Sequence, residues 1–357
     1  MKKILFIGFL LRLGVILLSI GVKNYDLNSY YKVGELTTKG INIYPDVASL
    51  HHPYLPFFLY LEAIAFWLSS ILSLGYNGTI LIIKLFIAIF DLGCLYLIYL
   101  ITSRDLDKAL LYAVSPIPIL IFSFHGQFDA IPLFFILLSS FYLIKAKIKK
   151  KYRDICTYLT FSIAVLSKTW PLILVTYYIK RVKRLSVAFI VIIPPLLSVL
   201  AYLFVFKSDY MAITKTLIGY QGLWGVWGIS KMIGPIGYKF EKISTLFFLG
   251  LFFYFTTKQQ TDDFYKEIFK ILLFFYVFTS NFSIQYLSWF VPFMIISGFR
   301  YVKFTTIVTS LYIALILVDR SLNLNLLLVD LASYFCWLYF VWILVLAYRQ
   351  NYIVGKS

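Results

Sequence analysis

Ionisable and hydrogen-bonding residues gather in five short stretches of a chain that is otherwise strongly apolar. Asp26 follows the first apolar run, and His51 and His52 begin the stretch HHPYLP (51–56), which contains Pro53 and Pro56. The other three stretches are HGQFD (125–129), SKTWP (167–171) and NFSIQYLSW (281–289). A carboxylate can accept a proton, and imidazole and ammonium groups can hold an anion. An ionisable group costs about 2.5–3.5 kcal/mol at the centre of a membrane helix, so such groups are retained for pairing or for function.

The composition of the chain places these stretches in a membrane protein. Of the 357 residues, 61% are hydrophobic and 14% are charged, and the mean hydropathy is +0.85. Several apolar runs with almost no charge are long enough to span a bilayer and longer than a soluble core helix requires. We therefore predict an all-α polytopic membrane protein, with one integral membrane domain over residues 1–357 and roughly ten membrane segments.

The net charge of +17 is distributed as in a membrane protein with a basic cytoplasmic face. The basic residues lie in short loops beside apolar runs, which the positive-inside rule predicts. This pattern argues against nucleic acid as a partner and makes membrane lipids the expected surroundings. Cys94, Cys156 and Cys336 lie in apolar runs, and no pair of them has metal-site spacing. We expect neither a disulfide framework nor a zinc site.

The first polar interval, residues 23–56, is expected on the external face, and we call it the first external loop. The apolar run before it, 4–22, contains Arg12 and lacks a small-residue cleavage site. It is interpreted as an uncleaved first span with a cytoplasmic N-terminus. The loop is far longer than a connector between two membrane helices needs to be. A second long external loop is expected at 207–242, and the C-terminus is expected in the cytoplasm.

Two basic segments constrain the number of membrane crossings. Residues 145–153 and 180–184 both carry the charge that is typical of cytoplasmic loops. The stretch 155–179 between them must then cross twice or not at all. Its polar middle, around Lys168, favours two half-depth helices that meet at an apex. By the same count, residues 54–75 are expected not to cross. In a competing model every segment crosses once and 145–153 lies outside.

In the favoured topology the five polar stretches all reach the external face, and their order resembles that in the GT-C superfamily of polytopic glycosyltransferases. The resemblance begins with Asp26 just after the first span, followed by GINIYP (40–45) and HHPYLP (51–56). It continues with SPIPILIFSFHGQFD (115–129), LSKTWPL (166–172) and IQYLSWFVP (284–292). These are similar to the HFQYN-type motif of dolichyl-phosphate-glucose-dependent glucosyltransferases and to the KxYP and QYxxWxxP elements of mannosyltransferase-like members.

The resemblance implies a fold and an activity. The fold would be a GT-C-like helical bundle, in which short or broken helices and the first external loop surround an outward-facing cavity. The activity would be transfer of mannose or glucose from a polyprenyl- or dolichyl-phosphate donor to a hydroxyl of a lipid-linked glycan or a similar acceptor. The expected location is the plasma membrane of a prokaryote, with the endoplasmic reticulum membrane as the alternative.

The resemblance also implies roles for the polar residues. Asp26, in what would be a catalytic first external loop, would be the general base that takes the acceptor proton, and one direct displacement would invert the sugar carbon. Cations would hold the departing phosphate, with Lys168, the loop histidines and Arg12 as candidates. The residues expected to contact donor or acceptor are His51, His52, His125, Gln127, Asp129, Lys168, Gln285, Tyr286 and Trp289. No cofactor is required, although two acids could share a divalent metal.

Other interpretations stay open at this stage. A transporter or lipid flippase would also have broken helices and intramembrane charges, although it should contain an internal repeat, and none is visible in the sequence. A non-catalytic subunit of a glycan-assembly complex is a third class. Among single residues, Asp26 could be a solvated acid at a helix end, and Lys168 could pair with an acid. Lys84 and Asp91 could form a buried pairing network, and Glu62 is unassigned.

Overall fold

The protein is described by a computed structural model, which covers residues 1–182, 189–219, 225–228, 231, 241–259, 263–322, 324 and 327–354. About 80% of the described residues are helical. In these residues the β pairing consists of one isolated antiparallel bridge, between Trp227 and Phe282. The architecture is therefore all-α, as the sequence predicts.

Seventeen α-helices follow one another along the described chain. They are α1 (Lys2–Leu18), α2 (Tyr25–Thr38), α3 (Ala48–His51), α4 (Phe58–Ile71), α5 (Gly75–Ile101), α6 (Leu106–Ala113), α7 (Pro116–Pro118), α8 (Ala130–Ile144), α9 (Lys150–Ser167), α10 (Val175–Val182), α11 (Ile193–Phe206), α12 (Tyr210–Gly219), α13 (Glu241–Lys258), α14 (Phe264–Phe278), α15 (Val291–Ile296), α16 (Val302–Leu322) and α17 (Leu327–Val354). A π-helix spans Ile119–Phe124, and 3-10 helices span Trp170–Leu174, Phe189–Ile192 and Ile284–Ser288.

Five helical segments of the described chain are long and apolar enough to cross a membrane. They are Gly75–Ile101, Leu106–Phe124, Phe189–Phe206, Val302–Leu322 and Leu327–Arg349. Shorter apolar helices are Phe58–Ile71, Ala130–Ile144, Ile243–Lys258 and Ile284–Ile296. Only 11% of the Phe189–Phe206 segment is buried inside the protein, as expected of a helix that contacts lipid. These segments confirm the prediction of an all-α membrane protein.

The first external loop, expected as a polar connector, contains two helices, α2 and α3. Asn24 caps α2, because its Oδ1 accepts a hydrogen bond of 2.8 Å from the Leu27 amide. The buried positions of α2 recur at helical spacing along one face: Leu27, Tyr30, Val33, Gly34 and Thr37. That face packs on α4. Gly34 permits the close approach, since a Cβ there would lie 2.6 Å from the Glu62 carbonyl oxygen.

The polar apex predicted within 155–179 is a break between helices. α9 ends at Ser167, Lys168 has extended backbone, and the 3-10 helix Trp170–Leu174 begins directly after Thr169. Pro171 stands in the first turn of that 3-10 helix, where its missing N–H has no partner to lose. Lys168 therefore belongs to neither helix. The number of times this stretch crosses the membrane stays a prediction.

The described residues separate into two compact units. The first contains Met1–Val114, Ile121–Val175 and Arg181–Gln221, and the second contains Ser115–Leu120, Thr176–Lys180 and Gly222–Ser357. In the first unit α8 packs on α9 and on α5. In the second unit α14 packs on α17, and the stacked rings of Trp227 and Phe282 lie 3.9 Å apart. One membrane domain over residues 1–357 stays a prediction. Of the second external loop, 207–242, residues 220–224, 229–230 and 232–240 lie outside the described residues.

Candidate functional site

Asp26 lies in the first turn of α2, and Asn24 fixes that turn in place. The Asn24 side chain caps the helix through Oδ1 and donates from Nδ2 to the His125 carbonyl oxygen over 2.9 Å. The unpaired amides of a first helical turn carry partial positive charge, which favours a carboxylate at this position. The Asp26 side chain is 31% exposed. It is therefore an ionisable group that a solute can reach.

The turn 125–129 brings two polar side chains to Asp26. Gly126 makes this turn with a φ of +88°, a backbone conformation that favours glycine. A Cβ at this position would also displace the end of the Leu27 side chain, which lies 2.6 Å away. Gln127 Nε2 donates to Asp26 Oδ2 over 2.7 Å. His125 Nδ1 lies 4.0 Å from the same oxygen. Asp26, His125 and Gln127 are thus one cluster, although about a hundred residues of chain separate Asp26 from the other two.

Asp129, two residues after Gln127, forms a buried ion pair with Lys168. The distance from Lys168 Nζ to Asp129 Oδ2 is 2.7 Å. Lys168 Nζ also lies 4.5 Å from the ring centroid of Phe128 and 5.3 Å from that of Tyr54, which are favourable cation–π positions. The alternative interpretation of Lys168, that it pairs with an acid, describes this arrangement. If Lys168 held an anion, its positive charge would be divided between that anion and Asp129.

Phe128 is the aromatic centre that joins these polar groups, and no motif in the sequence singles it out. Its ring stacks on Phe58 at 3.9 Å and meets Tyr54 and Tyr30 edge to face at 5.1 and 5.9 Å. The ring thereby ties the 125–129 turn to α2, α4 and the first external loop. The available signal was an apolar residue enclosed between two polar ones in HGQFD.

The two histidines of the first external loop lie in different surroundings. His51 is half-buried, stacks on Tyr25 and shares a hydrogen bond of 2.8 Å between Nδ1 and the Ser29 hydroxyl. Burial, with a smaller contribution from nearby Lys32, lowers the pKa of His51. Its side chain remains accessible to a solute.

His52, by contrast, is completely buried. Its Nδ1 lies 3.6 Å from Glu62 Oε2, and the rings of Tyr44 and Tyr54 enclose it edge to face. Burial lowers the pKa of His52 to about 4, so the ring is neutral at pH 7. His52 was expected to contact the donor or acceptor, but no face of its ring is exposed, so a substrate cannot reach it in this structure. His52 acts here as packing for the loop.

Arg12 was a candidate for holding the departing phosphate, and that interpretation is wrong. Its side chain is fully buried, and Nε donates to Asp91 Oδ2 over 2.6 Å. The Tyr112 hydroxyl donates to the other oxygen of Asp91, also over 2.6 Å. A further bond of 3.0 Å runs from the guanidinium to the Ala113 carbonyl oxygen. Arg12 therefore joins α1, α5 and α6 and has no access to a ligand.

Lys84 is buried and has partners other than Asp91. Its Nζ donates to the Ser19 hydroxyl at 2.8 Å, the Ser19 carbonyl at 3.4 Å and the Phe124 carbonyl at 2.7 Å. These oxygens lie just after α1 and at the end of the π-helix, where carbonyl groups carry partial negative charge. Lys84 and Asp91 therefore belong to two separate networks, and the prediction that they pair with each other is wrong. Lys84 fixes the residue immediately before the 125–129 turn.

Gln285, Tyr286 and Trp289 lie in the second compact unit, in and just after the 3-10 helix Ile284–Ser288. Gln285 accepts a hydrogen bond from the Ser283 hydroxyl, and the Tyr286 carbonyl accepts one from Tyr276. Trp289 is buried, with its ring 4.2 Å from that of Tyr286. The cluster around Asp26 belongs to the first unit.

Within the described ranges, no three His, Cys, Asp or Glu side chains converge as a metal site would require. The three cysteines are free. Comparison of the chain with family models, with curated proteins and with solved structures finds no match. Its chemistry therefore has to be inferred from the Asp26 cluster. That cluster presents an accessible carboxylate, held by an amide and beside an imidazole, which can accept a proton from a hydroxyl group.

Proposed function

We propose that the chain is an inverting membrane glycosyltransferase. It would transfer mannose or glucose from a polyprenyl- or dolichyl-phosphate donor to a hydroxyl of a lipid-linked glycan or a similar acceptor on the external face. Asp26 carries the proposal, because it is an accessible carboxylate at the start of a helix in an otherwise apolar protein. The proposal includes the motif resemblance, about ten membrane segments around an outward-facing cavity, and a prokaryotic plasma membrane with both termini in the cytoplasm.

The reaction needs a base and a means of stabilising the leaving phosphate. Asp26 takes the proton of the acceptor hydroxyl as that oxygen attacks the anomeric carbon. The bond from that carbon to the phosphate oxygen breaks, and the electron pair leaves with the phosphate. Lys168, which shares its charge with Asp129, is the cation assigned to the phosphate. His51, whose lowered pKa leaves the ring mostly neutral at pH 7, is assigned to it as a hydrogen-bond donor. Gln285, Tyr286 and Trp289 are assigned to donor or acceptor contacts.

A direct assay tests this function. Purified protein in lipid nanodiscs is incubated with labelled polyprenyl-phosphate mannose or glucose and a panel of lipid-linked acceptors. The Asp26→Asn variant should lose about 10²–10⁴-fold in turnover, because the general base is removed. It should keep its thermal stability and its binding of the donor. Asp46→Asn, which alters an exposed acid of the same external loop, is the matched control and should keep full activity.

The outcomes separate the function classes. Full activity of Asp26→Asn would contradict the assignment of the base. Absence of transfer with every donor would favour the transporter or flippase, whose broken helices and buried charges this chain also has. Donor binding without transfer in any reconstituted state would favour a non-catalytic subunit.

A further inference from the structure

The two carboxylate oxygens of Asp26 are not equivalent. Oδ2 accepts the hydrogen bond from Gln127 Nε2 at 2.7 Å and has His125 Nδ1 at 4.0 Å. In the part of the chain that the structure describes, no donor contacts Oδ1. The side chain is nevertheless part exposed, so Oδ1 is the oxygen that is left for a solute. One oxygen is thus held by the protein, and the other is available.

Gln127 is more deeply buried than Asp26, the residue that it contacts. It is almost fully buried, and its backbone N–H donates to the Ile121 carbonyl over 3.0 Å. On one side Gly126 fixes the turn by its left-handed backbone, and on the other Phe128 stacks on Phe58. A side chain that is packed on nearly all sides, on a main chain that is itself hydrogen-bonded, has few rotamers available. Gln127 can therefore impose an orientation on Asp26.

A carboxylate in a first helical turn with no such contact would exchange among staggered rotamers. Only a part of those rotamers would direct an oxygen at a given acceptor hydroxyl. A catalytic group that is held in the productive orientation avoids this loss, which is the general benefit of preorganisation. The contact of Gln127 with Asp26 would therefore increase turnover and not the affinity for a sugar.

We infer that Gln127 is a positioning residue that holds Asp26 by Oδ2, so that Oδ1 receives the proton of the acceptor hydroxyl. The inference rests on the proposed function. It replaces the expectation that Gln127 contacts donor or acceptor. The proton moves from the acceptor hydroxyl to Oδ1, the acceptor oxygen bonds to the anomeric carbon, and the donor phosphate leaves with the electron pair. Gln127 gives no proton to the reaction.

Kinetics of Gln127→Met, which keeps the length of the side chain and removes the donor, test the inference. Turnover should fall about 10- to 100-fold, while the KM values for donor and acceptor stay within about twofold. The acidic limb of the pH–rate profile should move to higher pH, because a hydrogen bond that favours the charged carboxylate is lost. Gln127→Glu keeps the size and adds a negative charge, so its acidic limb should move further.

A matched control is Gln259→Met, which removes another buried amide, one that donates to Phe255 and Tyr348 and belongs to the second unit. It should leave turnover and the pH profile unchanged. A raised KM for the sugar donor with unchanged turnover in Gln127→Met would overturn the inference, because it is the signature of lost sugar binding. Equal losses in Gln127→Met and Gln259→Met would also overturn it, since they would report general destabilisation.

A second measurement does not depend on activity. A water-soluble carbodiimide and a small amine label protonated carboxyl groups, and peptide mass spectrometry gives the ratio of label at Asp26 to label at exposed Asp46. This ratio at pH 6 should rise about three- to tenfold in Gln127→Met. If it rises in a protein that transfers no sugar from any donor, the proposed function fails and the contact stands. If the wild type is active and both the ratio and the kinetics are unchanged, the inference fails alone.

Discussion

Lys168 and Asp129 form a buried ion pair of 2.7 Å across 39 residues of chain. Asp129 stands immediately before α8, and Lys168 immediately follows α9. The two helices pack on each other, so the pair closes one end of that packing. Its consequence for chemistry is that the lysine is already neutralised. A phosphate that binds here would have to draw Lys168 away from Asp129 or share it.

Breaking this pair should cost more than removing it entirely. Lys168→Met leaves a buried carboxylate without its cation and should lower the free energy of unfolding by about 3–5 kcal/mol. The double variant Lys168→Met/Asp129→Leu should recover most of that loss. Denaturant unfolding in detergent micelles measures both, with the exposed Lys149→Met as a control that should change little. A loss below about 1 kcal/mol in the single variant would mean that the pair is solvated.

The Arg12–Asp91 pair should behave in the same way but without an effect on chemistry. Arg12→Met should destabilise by about 3–5 kcal/mol, because Asp91 keeps only the hydroxyl of Tyr112. Arg12→Met/Asp91→Leu should restore much of the stability. The turnover of the refolded double variant should be near that of the wild type, measured in the sugar-transfer assay. Loss of turnover in a stable double variant would revive a ligand role for Arg12.

Gly126→Ala should damage the site through the backbone. The φ of +88° is costly for alanine, and the new Cβ would meet Leu27 Cδ2 at 2.6 Å. We expect a loss of about 1–3 kcal/mol in stability, which is typical of a residue forced into a sparsely populated conformation. Thermal unfolding provides the measurement. Gly14→Ala is the control, since a Cβ there meets nothing within 4 Å, and its stability should not fall.

His52 should make stability depend on acid. Its pKa is about 4 in the folded protein and about 6.5 when unfolded. The unfolded chain therefore binds more protons between these values, so stability falls as the pH drops from 6.5 through 4. The full difference of about 2.5 pKa units corresponds to about 3 kcal/mol. The difference between unfolding curves of wild type and His52→Gln, recorded from pH 7.5 to pH 3.5, isolates this contribution. A flat difference would contradict burial of a neutral ring.

The sequence was sufficient for the class of protein and for several local features. Composition and apolar run length determine a helical membrane protein, because a bilayer leaves few alternatives for an uncharged run. SKTWP predicted the helix break at Lys168, since proline and a charge oppose a continuous apolar helix. The capping residue Asn24 and the periodic buried face after it would also have revealed α2. The polar composition of residues 23–56 masks these signals and favours a loop.

Pairings between distant residues could not be predicted in this way. Lys84 and Asp91 lie on one helix face, but seven residues at 1.5 Å each place them about 10 Å apart along the axis. Asp91 therefore bonds to Arg12 and Tyr112, whereas Lys84 bonds to Ser19 and to the Phe124 carbonyl. Arg12 pairs with Asp91, and His52 meets Glu62, only because of how the helices pack. A single sequence contains the periodicity of each helix but not the rotation that selects its partner.

The two hydrogen bonds of the Asn24 side chain also bear on how the protein is synthesised. The capping bond to Leu27 is local and can form as soon as α2 leaves the ribosome. The bond to the His125 carbonyl joins residues 101 positions apart. At about 5–20 residues per second, that carbonyl is synthesised roughly 5–20 seconds later. During this interval Asp26 has neither His125 nor Gln127 beside it. The nascent chain thus carries an unassembled acid until later helices have been inserted, and premature termination before residue 125 would leave it so.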